Sequence, residues 1–399
     1  MKKIAEEYNI SKVRISTLWK GIKTDIAAGK LINSDRKFTG GQPKLNIDLE
    51  KVRSIPVRER GSIRKLAIKM NLHPSTVGRL IRKGALRSHT NAIKPLLTNA
   101  NKVARIKWCL GKIVGNSLNN GQVFKDMYNV VHLDEKWFFM TNTTEKYYLL
   151  PDEMEPHRTC KSKRFITKVM FMAAVARPIF SNQGSVLFDG KIGIFPFTYE
   201  EPAKRASRNR ARGTMETKPI QRITKEVTKE YLISKIIPAI KSKWPEGASR
   251  RIYIQQDNAK PHIRGDDPDF LNAAQSDGFD IRLVSQPPNS PDLNVLDLGF
   301  FRSIQSLQYE ISATTVSELV DAVTTAFEQV EPQKLKYVWL SLHYCMNEIL
   351  RVLGNNNYRL PHNGKQRLER LGLLPDQVTV NEEYLAKALQ HITQQQQGD

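Results

Sequence analysis

Three kinds of feature are scarce in this sequence, and each scarcity excludes a class of protein. Cysteine occurs three times among 399 residues, at widely separated positions, which excludes a disulfide scaffold and a CxxC-type zinc site and suits a reducing compartment. The longest strongly apolar run, residues 169–176, is far shorter than the ~20 residues that span a bilayer. Residues 1–30 lack the charged start and apolar core of a signal peptide. We therefore predict a protein that is neither secreted nor embedded in a membrane.

Acidic residues are scarce in one part of the chain. The sequence carries 62 Lys and Arg against 40 Asp and Glu, a net charge of +22. Residues 1–126 hold 27 of the basic and 8 of the acidic residues, a net charge of +19, and the remainder is nearly balanced. Such asymmetry favours a polyanionic partner, either nucleic acid or an anionic membrane surface. The alternative is a solvated surface that is basic only for solubility.

Residues 62–83 have the pattern of two short helices joined by a tight turn. Apolar residues recur at i, i+3, i+4 and i+7 from Ile63, and Pro74 suits the first turn of a second helix. This is the helix-turn-helix plan of DNA-binding proteins, with ordinary helical packing as the alternative. The outward residues of the second helix are the predicted DNA contacts: Ser75, Thr76, Arg79, Arg82 and Lys83.

Residues 4–22 repeat this pattern, with an apolar face that starts at Ile15. Two copies in a strongly basic region make DNA the preferred polyanion. The first copy begins almost at Met1, without the third helix that usually closes such a core, so we expect a truncated chain or an internal start. Its predicted DNA contacts are Lys12, Arg14, Ser16, Thr17 and Lys20.

The two copies predict a domain order for the basic region. A first helix-turn-helix spans residues 1–23, a basic linker 24–61, a second helix-turn-helix 62–84 and a helical connector 85–126. Within the linker, Arg36, Lys37 and Lys44 resemble a small basic arm that lies in a minor groove, and a plain tether is the alternative.

Three acid-bearing segments follow in the near-neutral remainder. Apolar runs predicted as strands lead to Asp134 and Asp257, and a Pro-rich loop leads to Asp292 and Asp297 at the start of a helix. Carboxylates at strand ends can converge on one sheet edge, where Mg²⁺ ions take carboxylate oxygens and clamp a phosphoryl transfer. The alternative for each acid is that it caps a turn.

In these three segments the sequence resembles the mariner-type DNA transposases. The catalytic blocks of that family match HLDEKWF at 132–138, QDNAKPH at 256–262 and SPDLNVLD at 290–297. Between Asp257 and Asp297 lie 39 residues, the spacing of the plant-type branch. Further likeness lies in KYYLLPDE at 146–153, CKSK at 160–163, FITKVMF at 165–171 and GNNN at 354–357.

The resemblance implies an α/β RNase H-like catalytic domain, a mixed sheet flanked by helices, over residues 127–310, preceded by the all-α DNA-binding region. A helical region with a Gln-rich, frayed tail follows over 311–399. Asp134, Asp257 and Asp297 would bind two Mg²⁺ or Mn²⁺ ions. The implied activity is that of a cut-and-paste transposase, which binds terminal inverted repeats, cleaves the DNA and joins the ends at a TA dinucleotide. A homodimer is also implied. Basic clusters, one of them at 161–164, favour a nuclear location.

Some residues near the three acids have open roles. The motif selects Asp297 over Asp292 as ligand, and Glu135 is expected to point to the opposite face of its strand. Three roles are open for Asn258 and His262: each would orient a metal ligand by a hydrogen bond, contact DNA or support the fold. An inserted basic loop at about 196–219 resembles a clamp for a partner subunit or DNA, with a plain surface loop as the alternative. Its basic residues are Arg205, Arg208, Arg210 and Arg212.

Two rival functions remain beside the active enzyme. One is a DNA-binding regulator derived from a transposase, with an inactive or repurposed catalytic domain. The other is an RNA-directed nuclease of the same fold, which fits poorly with two helix-turn-helix patterns. Because all three acids are present, we favour the enzyme.

Overall fold

The computed structural model describes residues 2–29, 48–88, 93–115, 121–141, 153–154, 166–207, 210–311, 313–360 and 363–397. The chain divides into two compact units, residues 1–92 and 93–399. Among the described residues, no helix is both long and apolar enough to cross a membrane.

The first helices of the chain lie where the sequence predicts them, but the predicted core is not there. Helix α1 (Lys2–Glu7) leads to α2 (Lys12–Ala27), which Ser11 caps by accepting a hydrogen bond from the Arg14 N–H at 3.3 Å. Within the described part of the chain α2 buries no residue, and the Trp19 side chain is 50% exposed. Helix α2 also runs past the predicted boundary at residue 23, to Ala27.

The second helical group has a core of its own. Helix α3 (Glu50–Ser54) and a 3₁₀ turn, Val57–Arg60, precede α4 (Ile63–Met70) and α5 (Pro74–Arg82). Val52 and Ile55 pack against buried residues of α4 and α5 such as Met70 and Val77. The predicted linker over 24–61 thus includes a helix that completes this core. A single turn followed by Pro56 has no readable periodicity, so the sequence pattern missed it.

Of the described residues in the predicted connector, 85–126, those in the middle are helical and those nearer its end form two short strands. Helix α6 (Asn99–Leu110) is followed by β1 (Ile113–Gly115), which pairs antiparallel with β2 (Gln122–Phe124). Each strand has three residues, too few for alternation of polar and apolar residues to show in the sequence.

A five-stranded mixed sheet forms the centre of the second unit, and further strands lie beside it. The remaining strands are β3 (Val130–Phe139), β4 (Lys168–Ala176), β5 (Ile179–Phe180), β6 (Val186–Phe188), β7 (Lys191–Pro196), β8 (Thr198–Pro202), β9 (Met215–Pro219), β10 (Arg251–Gln256) and β11 (Asp280–Ser285). The sheet has the order β11-β10-β3-β4-β7. Strands β3, β10 and β11 pair in parallel, and β4 pairs antiparallel with β3 and β7.

Helices cover both faces of this sheet. One face packs on α7 (Lys225–Tyr231), α8 (Ile237–Lys243) and α9 (Pro268–Ala274). The other packs on α10 (Phe301–Gln308), α11 (Val316–Gln329) and α12 (Pro332–Arg351), with α6 and α14 (Glu382–Gln397) beyond them. Alternate residues of β4, such as Phe171 and Met172, join different cores, as strand geometry requires. The expected mixed sheet with flanking helices is confirmed.

Two peripheral segments differ from their predicted form. The predicted basic loop at 196–219 is an antiparallel hairpin of β8 and β9. At the end of the chain, α13 (Lys365–Arg370) and α14 follow α12, and α14 remains helical through Gln397, where the sequence suggested a frayed tail.

Candidate active site

Strand register brings the first two predicted acids together. His132 of β3 lies opposite Gln255 of β10 in a parallel pair. Asp134 and Asp257 each follow two residues later, so they lie side by side where neighbouring strands are ~4.8 Å apart. Both side chains line one cavity of about 390 Å³. The end of parallel strands is a common place for a site because side chains from separate segments meet there.

The third acid reaches the same cavity on a loop that is fixed to both strands. Asp297 lies in a wide helical turn, Leu296–Phe300, and lines the cavity. The Gln255 amide donates to the Leu293 carbonyl at 2.9 Å. The buried Asn294 amide donates to the Leu133 carbonyl and to Asp134 Oδ2, each at 3.2 Å. The loop is therefore held at the ends of β3 and β10.

Asp134 and Asp297 form a close pair of carboxylates. Burial, and after it the charges of Asp297 and Glu135, raises the pKa of Asp134 to about 8. Burial also raises the pKa of Asp297, against the opposing effects of Lys136 and of a hydrogen bond with Asp134. Both carboxyl groups are therefore harder to ionise than ordinary aspartates. Neighbouring carboxylates with raised pKa values are typical of functional sites.

Asp257 has a different environment, because His262 lies beside it. His262 Nδ1 is 2.8 Å from Asp257 Oδ1, and this hydrogen bond lowers the pKa of Asp257. His262 Nε2 is 3.1 Å from both oxygens of Glu135. Burial alone would lower the pKa of His262, but its hydrogen bonds to the two carboxylates outweigh burial and raise that pKa to about 11. The sequence argument expected Glu135 on the strand face opposite Asp134 and did not foresee that His262 links its side chain to Asp257.

Asn258 contacts the loop that forms one wall of the cavity. Its side-chain amide donates to the Gln286 carbonyl at 2.6 Å, where the Pro-rich loop begins. The Gln286 N–H in turn donates to the Gln256 carbonyl at 2.9 Å. The structure therefore places Asn258 as a support for this loop, and His262, whose side chain is 4% exposed, as a support for Asp257.

A buried histidine lies below Asp134 on the same strand. The Nδ1 atom of His132 accepts the Val295 N–H at 3.1 Å, and the ring stands edge-on to Trp339 with centroids 4.7 Å apart. Burial lowers the pKa of His132 to about 3, so the ring is neutral. A neutral ring adds no charge near the acids and serves to fix the turn that carries Asp297.

Asp292 is directed away from the acid cavity into an ion pair. Both of its carboxylate oxygens accept hydrogen bonds from Arg105 at 2.7 Å, and the Tyr358 hydroxyl donates to it as well. Arg105 is fully buried and also donates to the Gly354 carbonyl at 2.8 Å. Arg105 is a site-supporting residue that the sequence argument missed, because a lone arginine in a basic region carries no signal.

The GNNN segment holds another wall of the cavity. Lys94 Nζ donates to the carbonyls of Asn356 and Tyr358 at 2.5 and 2.7 Å, and the Asn356 amide donates to the Pro95 carbonyl at 2.7 Å. Pro95 lines the cavity of the acids. Gly354 has φ +80°, and a Cβ there would lie 2.2 Å from the Lys102 carbonyl oxygen, so only glycine fits.

The predicted DNA contacts lie on the helices as expected, where they fall among the described residues. On α5, Ser75, Arg79 and Arg82 are exposed and Thr76 is half-buried, and Lys83 is exposed just after the helix ends. On α2, Lys12, Arg14, Thr17 and Lys20 are exposed and Ser16 is half-buried. The Thr17 hydroxyl donates to the Val13 carbonyl of its own helix at 3.0 Å. The predicted groove contacts Arg36, Lys37 and Lys44 lie outside the described residues.

The β8–β9 hairpin contains acidic as well as basic residues. Arg210 pairs with Glu216, and Lys204 pairs with Glu201 at 3.1 Å. Arg205 and Arg212 are exposed, and Arg208 lies outside the described residues. Part of the predicted basic charge is thus neutralised within the hairpin.

The donor set fits hard divalent cations. Three carboxylates line one cavity, and burial raises the pKa of two of them, so a bound cation would favour their charged forms. Among the described residues, no group of three or more His, Cys, Asp or Glu side chains is arranged so that these side chains alone could hold a metal ion. Water and phosphate oxygens would therefore complete the coordination, as is usual for Mg²⁺.

Comparisons with known proteins give a likeness in fold. No protein-family model matches the chain, and no curated protein matches it. A pre-cleavage Mos1 transpososome superposes with a TM-score of 0.52 at 15% identity, over 90% of this chain and 92% of its own. The Mos1 mariner paired-end complex with Mn has a TM-score of 0.52 at 16% sequence identity, and the match covers 90% of this chain and 93% of that one. The mariner Mos1 paired-end complex with Mg has a TM-score of 0.51 at 17% sequence identity, and the match covers 89% of this chain and 92% of that one. The chain has the fold of these structures.

Proposed function

We propose that this chain is a mariner-like DNA transposase of the plant-type branch, which cuts and joins DNA by two-metal phosphoryl transfer. The observation that carries the proposal is the convergence of Asp134, Asp257 and Asp297 on one cavity. The shared fold with Mos1 complexes that contain Mn and Mg supports it. The 39 residues between Asp257 and Asp297 support the plant-type assignment.

The side chains in and around the cavity have separate roles in the proposed reaction. Bound Mg²⁺ or Mn²⁺ would activate the attacking water or DNA 3′-hydroxyl and stabilise the leaving 3′-oxygen. Asp134, Asp257 and Asp297, which line the cavity, would hold the metal ions through their carboxylate oxygens. Asn294 orients Asp134 through its amide, and Gln255 fixes the loop before Asp297.

DNA recognition is assigned to the helices of the first unit. In α5, exposed Arg79 and Arg82 lie on the side opposite buried Val77, and exposed Lys83 follows the last turn, which suits a recognition helix in a major groove. The basic residues of α2 would form a second contact. We assign the terminal inverted repeats as the DNA bound, a TA dinucleotide as the target, a homodimer as the assembly and the nucleus as the location.

The test is an assay on DNA that carries the ends of the chain's own element. Asp257→Asn should abolish Mg²⁺- or Mn²⁺-dependent cleavage and leave gel-shift binding intact, since it removes a ligand and no DNA contact. Cleavage that persists in this variant would falsify the metal assignment. Specific binding by the native chain without any cleavage would favour the regulator instead.

A second assay tests the recognition helix. The double variant Arg79→Ala/Arg82→Ala should weaken binding to inverted-repeat DNA, whereas Arg351→Ala, in the other unit, should not. Unchanged specific binding by the double variant would remove α5 from the proposal.

A further inference from the structure

A buried histidine connects two of the acidic segments. His262 lies between Asp257 and Glu135, with Nδ1 at 2.8 Å from Asp257 Oδ1 and Nε2 at 3.1 Å from both Glu135 oxygens. Both ring nitrogens therefore face carboxylate oxygens. The side chains of His262 and Glu135 are 4% and 14% exposed, which leaves little room for either to turn away.

This contact joins residues that are distant in sequence. Glu135 follows Asp134 on β3, and His262 closes the turn after β10, where its N–H donates to the Ala259 carbonyl at 3.0 Å. The Glu135 side chain points to the face of β3 opposite Asp134, as strand geometry requires. The turn after Asp257 carries the histidine ring around to that face, so the contact ties the ends of β3 and β10 together.

Glu135 thereby acts on two of the acids by different routes. Its backbone N–H donates to Asp134 Oδ1 at 2.8 Å, and its side chain holds His262, which holds Asp257. Asp257 Oδ1 also accepts the Ala259 N–H at 2.8 Å. From the residues that the structure describes, no hydrogen bond reaches Asp257 Oδ2, so that oxygen is left for the cavity.

We propose that Glu135 and His262 are positioning residues that set the direction of the Asp257 carboxylate and its separation from Asp134. This inference rests on the proposed function, because it is the metal role of Asp257 that gives its direction a purpose. Hydrogen-bond partners of metal ligands commonly orient them, and their loss typically lowers metal affinity about 10- to 100-fold.

Metal affinity, measured apart from cleavage, tests this inference. Mn²⁺ is titrated into the full chain, and its binding is followed by electron paramagnetic resonance. The affinity is measured for the native protein, for Glu135→Ala, for His262→Ala and for the double variant. We expect each single variant to weaken Mn²⁺ binding by roughly 10-fold. The double variant should be little worse than either single one, because both residues act through one contact.

Two further variants separate positioning from general loss of structure. Glu135→Gln keeps an oxygen acceptor for His262 and should retain most of the Mn²⁺ affinity. Lys229→Ala breaks another bridge in the same unit, to Asp267 and Asp269 at 2.9 and 2.6 Å, and should bind Mn²⁺ like the native chain. Thermal melting checks that each variant is folded, and DNA cleavage by Glu135→Ala should recover when Mn²⁺ is raised.

The outcomes distinguish the two levels of the proposal. Folded Glu135→Ala and His262→Ala variants that bind Mn²⁺ like the native protein would overturn the positioning role while the metal site stands. A loss of affinity in Lys229→Ala equal to that in His262→Ala would overturn it too. If Asp257→Asn itself leaves Mn²⁺ affinity unchanged, the proposed metal site fails and the positioning role fails with it.

Discussion

Asp292 and Asp297 lie five residues apart in one loop and have opposite environments. Asp292 has both oxygens on the buried Arg105, whereas Asp297 lies beside another carboxylate and lines the cavity. The same residue type therefore serves structure at one position and faces another carboxylate at the other. A protein that keeps two carboxylates close together loses stability by doing so, which is characteristic of a site that binds a cation.

The largest test of this contrast removes the open carboxylate. Asp297→Asn should lower cleavage of element-end DNA at least roughly 10⁴-fold, more than about 5 kcal/mol in activation free energy, because a metal ligand is lost. Its urea midpoint should be equal to or above that of the native chain, since a carboxylate repulsion is relieved. Single-turnover cleavage measures the first effect and gel shift controls for binding. A variant that still cleaves would make Asp297 as structural as Asp292.

The next test breaks the ion pair between Arg105 and Asp292. Arg105→Met should lower the free energy of unfolding by about 3 to 5 kcal/mol, because Asp292 keeps its charge and loses its partner. Urea denaturation measures the loss. Arg351→Ala is the matched control, since Arg351 forms an exposed pair with Glu348 at 2.6 Å and such pairs contribute about 0 to 1 kcal/mol. Equal losses in the two variants would contradict the contrast.

A smaller effect concerns pH. The pKa of Asp134 is about 8 in the folded protein against an ordinary 3.8, so between these values the folded state keeps a proton that the unfolded state has released. The stability of the metal-free protein should therefore fall as pH rises through that window. Asp134→Asn cannot ionise, so its stability advantage over the native protein should be greater at pH 8.5 than at pH 5, by at least about 1 kcal/mol.

Urea denaturation in EDTA at pH 5 and pH 8.5 measures this difference. The control is Asp266→Asn, because the side chain of Asp266 is 70% exposed on a loop. The difference in free energy of unfolding between Asp134→Asn and the native protein is compared at the two pH values. If this difference is the same at pH 8.5 as at pH 5, the Asp134–Asp297 pair does not destabilise the folded protein.

The smallest effect lies outside both pairs. Arg205→Ala, at an exposed position of the β8–β9 hairpin, should change stability by less than about 0.5 kcal/mol. If the hairpin contacts DNA, the slope of log K against log[salt] should become shallower by the contribution of about one phosphate contact. Binding measured across a salt series shows this, and an unchanged slope would assign the hairpin to protein contacts or to none.

The sequence predicted the parts of the site that depend on strand ends. Asp134 and Asp257 could be placed because buried runs of Val, Ile and Leu lead into them, and parallel strands end on one edge. Asp297 was identified by motif resemblance, not by pattern. Arg105 and Glu135 could not be predicted, since their partners are distant in sequence and strand alternation turned Glu135 away from the acids. Helix α3 was missed because one turn has no period.

The Arg105 cluster also orders the events of folding. Arg105 bonds to Asp292 and to Gly354, which follow it by 187 and 249 residues. During synthesis these partners leave the ribosome last, and contacts of such long range form late. The helices of the first unit, whose contacts are local, can form long before the acidic loop is fixed. A chain that stops short of residue 354 would keep the helices of the first unit and lack the Gly354 contact of Arg105. On the proposed function, such a chain would bind element ends without cutting them.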